Sequence, residues 1–320
     1  MQIQRTSILA WLSVGSLLVP HLAAAQIGGG AGAFSRMGFG ARGIGMGNAM
    51  TAVTTGDLES YYNPALLPAA AARHGQVSFG LLTLDRSLNF LSYGQKLPPS
   101  AGIGLGIINA GVGRIDGRDA DGEATGSLST SENQFCLGFG LRFPPGFSLG
   151  LNVKLFYHRL YEGISSTTVG LDLGALYPVS SNLTVGATVR DIGSKYMWST
   201  SSLYGQNGED SRDFFPKLYA LGAAYLLPDS LGVISGEIQF SSTGTTIGRI
   251  GAEANIIPEL AVRAGIDRID LRKKGNGVKP SLGLSVRHAF EHWSPSLEYA
   301  YVFEPFSASG INMISLSVRF

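Results

Sequence analysis

Three spacings in this chain match motifs that carry chemistry, and none has the setting its chemistry needs. Gly38-Phe39-Gly40-Ala41-Arg42-Gly43 fits the G-x-G-x-x-G phosphate cradle, but no strand pattern precedes it and no βαβ unit surrounds it. Gly146-Phe147-Ser148-Leu149-Gly150 fits the nucleophile elbow, which requires a turn from strand into helix; here Pro144-Pro145 leads straight into a strand pattern. His158 lies near one strand end, and Ser165-Ser166 begin the next. That offers a base and a hydroxyl, yet no third residue can be placed to orient the imidazole. His74, His288 and His292 fall at strand ends. Asp116, Asp119, Asp121 and Glu123 lack the spacing of a calcium loop. Cys136 is single, and no Cys/His cluster has zinc spacing. The expectation is a protein without catalysis, cofactor or metal.

A second set of charges is more telling. Lys154, Asp172, Arg190, Glu237, Arg249, Glu253, Arg263, Asp267, Arg287, Glu298 and Arg319 each occupy the polar side of an alternating pattern. Successive strand side chains point to opposite faces. Val169, Leu171 and Leu173 thus oppose Gly170, Asp172 and Gly174; Leu282, Leu284 and Val286 oppose Ser281, Ser285 and Arg287. An aliphatic face against lipid and a small, polar or charged face toward a lumen is the expected assignment. Both signs of charge occur, which favours a salt-bridged lining over an ion filter of one dominant sign. A polar pathway or docking surface is the other reading.

The elements that position these charges are strands. From residue 75 onward fourteen runs have strand character: 75–84, 87–96, 101–113, 131–142, 147–160, 165–176, 182–192, 214–226, 231–241, 246–256, 259–268, 279–290, 295–304 and 309–320. Each is long enough for a tilted transmembrane strand, which needs about 9–11 residues. Connections at 97–100, 144–146, 178–181, 228–230 and 257–258 are short and carry proline, while those at 114–130, 193–213 and 269–278 are long and polar. Short turns on the periplasmic side and long loops outside is the asymmetry of a bacterial barrel. Tyr157, Tyr177, Tyr225, Phe290, Trp293 and Tyr301 fall near strand ends, where aromatic girdles sit. The predicted fold is a fourteen-stranded antiparallel transmembrane β-barrel.

The totals agree. A net charge of +1 with 15% charged residues gives no basic surface for nucleic acid. The 44 glycines have no collagen period. Residues 1–25 read as a signal peptide: Arg5 for the n-region, 8–19 for the apolar core, Ala23-Ala24-Ala25 before the cleavage site. No later stretch supplies the roughly 20 apolar residues of a membrane helix. Residues 26–74 are then a small, partly helical plug, with a helix expected over 41–53 that places Ile44, Met46 and Met50 near one face. Residues 75–320 are the barrel.

The plug carries a more specific signal. Gly40-Ala41-Arg42, Gly45-Met46-Gly47-Asn48-Ala49, Thr51-Ala52-Val53 and Tyr62-Asn63-Pro64-Ala65 resemble the N-terminal signature of FadL-like outer-membrane barrels, most closely the PorV/PorQ branch. Thr55-Gly56-Asp57 stands where relatives commonly carry two Asp residues. The resemblance implies a hatch within the barrel, built on Arg42, Met46, Asn48, Asn63, Pro64 and Ala65, and an integral outer-membrane location. It implies two different jobs. One is export or surface attachment of secreted proteins in a type IX-like system, with outer loops such as Tyr196-Met197-Trp198 and Tyr204 as docking surface. The other is transport of hydrophobic small molecules, for which FadL transporters use a kinked strand as a lateral opening. Gly102, Gly104 and Gly106 mark the third strand as the candidate for that kink; the alternative is that these glycines make room for the hatch. A structural barrel or passive pore is a third reading. Terminal Phe320, with apolar residues at every second position before it, resembles the signal read by the outer-membrane assembly machinery.

Overall fold

The computed structural model describes residues 30–320 except 72, 162, 273–276 and 308, so the expected signal peptide lies outside the described residues. The chain first forms a 3-10 turn at Ala33–Arg36, a short helix α1 at Gly40–Gly45 and a second 3-10 turn at Pro64–Ala69. Strands follow: β1 His74–Leu81, β2 Arg86–Leu97, β3 Ala101–Arg118, β4 Ala124–Arg142, β5 Ser148–Tyr161, β6 Ile164–Pro178 and β7 Leu183–Ile192. A short pair, β8 Lys195–Ser199 and β9 Asp210–Phe214, flanks the one-turn helix α2 at Ser201–Tyr204. The rest are β10 Leu218–Leu226, β11 Gly232–Ser241, β12 Thr246–Ile257, β13 Leu260–Asp270, β14 Lys279–Arg287, β15 Ser294–Val302 and β16 Ile311–Arg319.

Fourteen of these strands close a barrel, each antiparallel to its neighbours, with β1 sealing against β16. Strand β7 pairs directly with β10, and the β8–β9 hairpin stands outside the ring. The outer wall is aliphatic: Leu137, Leu151, Val169, Leu282 and Leu316 are exposed there. Their strand neighbours Asp172, Ser281, Ser285, Ser315 and Ser317 are buried inside. An apolar band outside and a polar interior is what hydrocarbon requires of a spanning barrel.

Three details differ from the sequence-based expectation. The loop at 114–130 is largely a continuation of the β3–β4 hairpin, paired from Ile115↔Leu128 to Arg118↔Ala124. Both of its faces are solvated, so it lacks the alternation that marks a strand against lipid. The loop at 193–213 folds into the β8–β9 hairpin. The expected helix over 41–53 is confined to Gly40–Gly45, because Gly47 and Asn48 both adopt left-handed backbone and stop it. No single apolar face exists in the hatch. Ile44, Met46 and Met50 are all buried, since the barrel encloses this segment on every side.

Candidate functional site

The hatch meets the barrel backbone to backbone, and inward-facing glycines make this fit. A Cβ on Gly186 would stand 2.6 Å from the Thr51 carbonyl oxygen, and one on Gly140 2.6 Å from that of Pro64. On Gly150 it would collide with Pro64 and Ala65, and on Gly251 and Gly265 with Met46 and Gly47. Gly102 and Gly104 of β3 belong to this belt. Gly102 lies against the Leu67 backbone and Gly104 against Leu67 and Ser60, while Gly106 has Phe39 nearby. The ladder from β3 to β2 and β4 runs unbroken through all three. The structure thus places these glycines against the hatch, with no gap in the wall beside them.

Polar contacts then fix the hatch in place. Arg42 donates from Nε to Glu253 Oε2 and from Nη2 to Glu253 Oε1, both at 2.8 Å, and from Nη1 to the Thr55 carbonyl at 2.6 Å. Glu253 also accepts from Arg263 Nε at 2.6 Å, and Arg263 reaches Glu298 at 3.4 Å. Next along the wall, Arg249 pairs with Asp267 at 2.7 Å and with Glu237. Asn48 donates to Asp267 Oδ2 at 3.1 Å and accepts from the Tyr62 hydroxyl at 2.8 Å. Thr51 donates to Glu237 at 2.6 Å. Asn63, fully buried, donates to the carbonyls of Thr51 and Ala175 and accepts from the Ala65 amide. On the far side Lys154 bridges Asp172 at 2.6 Å and Asp191, and the Arg190 guanidinium lies 4.5 Å from the centroid of the Tyr61 ring. Arg287 is half-buried at the short-turn end. Phe320 is exposed, its amide donating to the Arg73 carbonyl.

Alternation missed two members of this lattice. Asp191 follows Arg190 and by parity belongs outside. A bulge, between the pairs Leu171↔Ile192 and Leu173↔Val189, turns it inward with a left-handed backbone. Asp57 sits in the hatch, where no periodicity operates. It accepts from Arg319 and from Ser317, tying the hatch to the last strand. Burial pushes its carboxyl up, but the Arg319 and His74 charges outweigh that and hold it below the usual carboxylate range.

The hatch fills the barrel at the level of this lattice, its residues buried from Phe34 to Ala70 with few exceptions. Between the two ends the hatch leaves cavities of about 20 and 10 Å³ among the described residues, room for about one water each. At the end that carries the long connections a vestibule of about 550 Å³ remains, lined by the apolar Phe34, Met37, Leu88, Ala110, Val112 and Ile311 and also by the polar or charged Arg86, Glu132, His158, Arg268, Lys279 and Glu304. The opposite, short-turn end has a small polar recess of about 150 Å³ around Arg42, Glu253, Arg263 and Arg287.

The register also settles the serine–histidine spacing. Glu132, His158 and Ser166 fall in one row across β4, β5 and β6, and His158 Nδ1 stands 3.3 Å from Glu132 Oε1. A carboxylate thus stands beside the imidazole, but His158 Nδ1 makes no hydrogen bond to it. Ser166, however, is buried and its Oγ accepts from the Met197 amide at 2.8 Å, beneath the β8–β9 hairpin and away from the vestibule lining. Tyr196, expected as an exterior anchor, is buried here too. It joins Phe156, His158, Trp198 and Phe215 in one aromatic cluster, whereas Met197 and Tyr204 are exposed. Asp119 accepts from the amides of Asp121 and Glu123, so the acidic segment is a capped hairpin tip. Cys136 is buried on the inner face opposite Lys154.

No protein-family profile matches the chain, and no curated protein matches it. Solved structures do. The toluene transporter TodX of Pseudomonas putida superposes with a TM-score of 0.61 at 16% identity, over 88% of this chain and 97% of that one. TbuX, a toluene transporter of Ralstonia pickettii, gives 0.62 at 14% identity over 88% and 98%. A Pseudomonas aeruginosa FadL homologue gives 0.59 at 11% identity over the same shares. The fold of this chain is FadL-like.

Proposed function

We propose that this chain is an integral outer-membrane protein that binds small hydrophobic molecules in its vestibule and passes them across the membrane. Residues 26–74 are its hatch, 75–320 its barrel, and the long-connection end faces the exterior. The observation that carries this reading is a vestibule of about 550 Å³, with Phe34, Met37, Leu88, Val112 and Ile311 among its mixed lining, above a lumen filled by the buried hatch. Such a molecule receives an apolar solute but does not leak ions or nutrients. The likeness to two toluene transporters and to a monoaromatic hydrocarbon channel supports the same class of ligand. No step of this function calls for catalysis or a cofactor.

The test is direct binding of toluene and of a long-chain fatty acid to the detergent-purified barrel by calorimetry. Ala110→Trp places an indole in the vestibule. Saturable binding that this substitution removes, with the barrel still heat-modifiable on a cold gel, supports the reading. Absence of binding by either probe sinks it.

A PorV/PorQ-like role in protein secretion is the second reading, supported by exposed Met197, Leu203, Tyr204 and Phe214 on the outer hairpin. A secreted protein that co-purifies with the intact chain, and is lost on deleting 196–213, is the result that would favour it.

A further inference from the structure

Four arginines, Arg42, Arg263, Arg287 and Arg319, line the recess of about 150 Å³ at the short-turn end, against two glutamates, Glu253 and Glu259. Asp57 and Glu298 are also close by, but each is already taken, Asp57 by Arg319 and Glu298 by Arg263. The four arginines differ in how many of their donors are engaged.

Every guanidinium nitrogen of Arg42 and Arg263 has a partner. Arg42 places Nε and Nη2 on Glu253 and Nη1 on the Thr55 carbonyl. Arg263 places Nε on Glu253, Nη1 on Glu298 and Nη2 on the Ser285 hydroxyl. Arg319 uses Nε alone, on Asp57. Arg287 uses none: among the described residues its side chain makes no hydrogen bond and no ion pair, and its Nε is buried away from water. Glu259 does not answer it. That side chain is exposed, and only the Glu259 carbonyl, accepting from the Arg287 amide, meets this residue.

A buried N–H without a partner is costly, and the guanidinium fork is shaped for two oxygens of a carboxylate or phosphate. The register brings the two under-used arginines to one place. Arg287 of β14 pairs with Ser296 of β15, and Arg319 of β16 with Ser294, so both flank the same strand. Their own strands stand roughly 10 Å apart, a span that two long side chains can close around one anion. The recess is many times the roughly 10–15 Å³ that a single water requires.

We propose that this recess binds a small oxyanion, a carboxylate or a phosphate group, held by Arg287 and Arg319 at the periplasmic end of the hatch. Bound there, the anion ties β14 to β16 beside the Asp57 contact. The site is separate from the vestibule, and neither reading depends on the other.

The test is calorimetric titration of the full chain in detergent with inorganic phosphate and, separately, with acetate, chloride holding the ionic strength constant. Saturable binding of at least one is expected, and the anion that saturates tells phosphate from carboxylate. Arg287→Gln should weaken it about tenfold, the scale of one charge-assisted hydrogen bond. Arg287→Lys, which keeps the charge but not the fork, should fall between. Arg212→Gln on the outer hairpin should bind as the parent does. Each variant is first shown to be heat-modifiable on a cold gel. The saturating anion should also raise the melting temperature of the parent by mass action, and Arg287→Gln should lose that rise. Saturation by neither anion overturns the inference, as does binding that Arg287→Gln leaves intact or that Arg212→Gln weakens equally.

Discussion

Arg42 of the hatch grips Glu253 of β12 with two parallel 2.8 Å hydrogen bonds, across 211 residues of sequence. Both side chains are buried, and Glu253 is shared with Arg263. The guanidinium fork matches a carboxylate in a way that an ammonium cannot.

Breaking one side of this pair should therefore do more harm than removing both. Glu253→Gln leaves Arg42 and Arg263 facing an amide that cannot balance two cations, and a loss of about 3–5 kcal/mol is expected for an orphaned buried charge. Arg42→Met combined with Glu253→Gln should recover part of it. Thermal unfolding of the three proteins in one detergent checks the order.

The glycine belt gives a sharper contrast. Gly150→Ala drives a methyl into the backbone of Pro64 and Ala65, whereas Gly113 has nothing within 4 Å of where its methyl would go. Gly113→Ala should fall within about 0.5 kcal/mol of the parent, as surface changes do. Gly150→Ala should lower the melting temperature and loosen the hatch, seen as accelerated proteolysis at residues 55–70. Equal behaviour of the two would mean that the hatch does not press on the wall.

Asn63 satisfies two carbonyls and one amide with a single side chain. Asn63→Ala should cost several kcal/mol, since each buried polar group left unpaired costs about 1–3 kcal/mol. Asn63→Asp keeps the acceptor but puts a carboxylate against two carbonyls, and should be no better at neutral pH. Chemical unfolding monitored by tyrosine fluorescence distinguishes both from the parent.

Acid should unlatch the hatch at its Asp57 contact. The Asp57 carboxyl is held below its ordinary range in the folded protein, so it stabilises the fold above that range and loses this contribution as the pH falls through its folded value. Planar-bilayer recordings should show ion leakage rising below about pH 4, the ordinary range of a carboxylate. Asp57→Asn should leak already at neutral pH and lose most of the acid dependence. A parent that stays closed to pH 2 would show that the latch is not limiting.

Much of this was legible in the sequence because lipid imposes a strict rule on the wall. Where a strand crosses hydrocarbon its outward residues must be apolar, and β6, β14 and β16 display that at every second position. The count of fourteen strands and the inward set from Lys154 to Arg319 follow from the rule. Where the rule lapses, so does the reading. The outer half of the β3–β4 hairpin is exposed on both faces, the β8–β9 hairpin stands outside the barrel ring, and the bulge at Asp191 breaks parity. The hatch has no period at all; only its contacts explain it. Asn63 and Pro64 were visible as a corner, but the surface that receives them, Gly140, Gly150 and Gly174, is spread over three strands and reads in sequence only as an excess of glycine.

That excess has a consequence for any attempt to make a wide pore from this protein. A strand lined with side chains keeps its shape when emptied, because neighbouring side chains brace each other. Here the inner wall at hatch level is bare main chain at Gly140, Gly150, Gly174, Gly186, Gly251 and Gly265, shaped there by the segment it surrounds. The hatch acts as a mandrel, the inner form on which the cylinder is drawn. Withdrawing it would yield a slack, collapsible tube rather than an open one, and the glycines would have to be replaced before such a tube could stand empty.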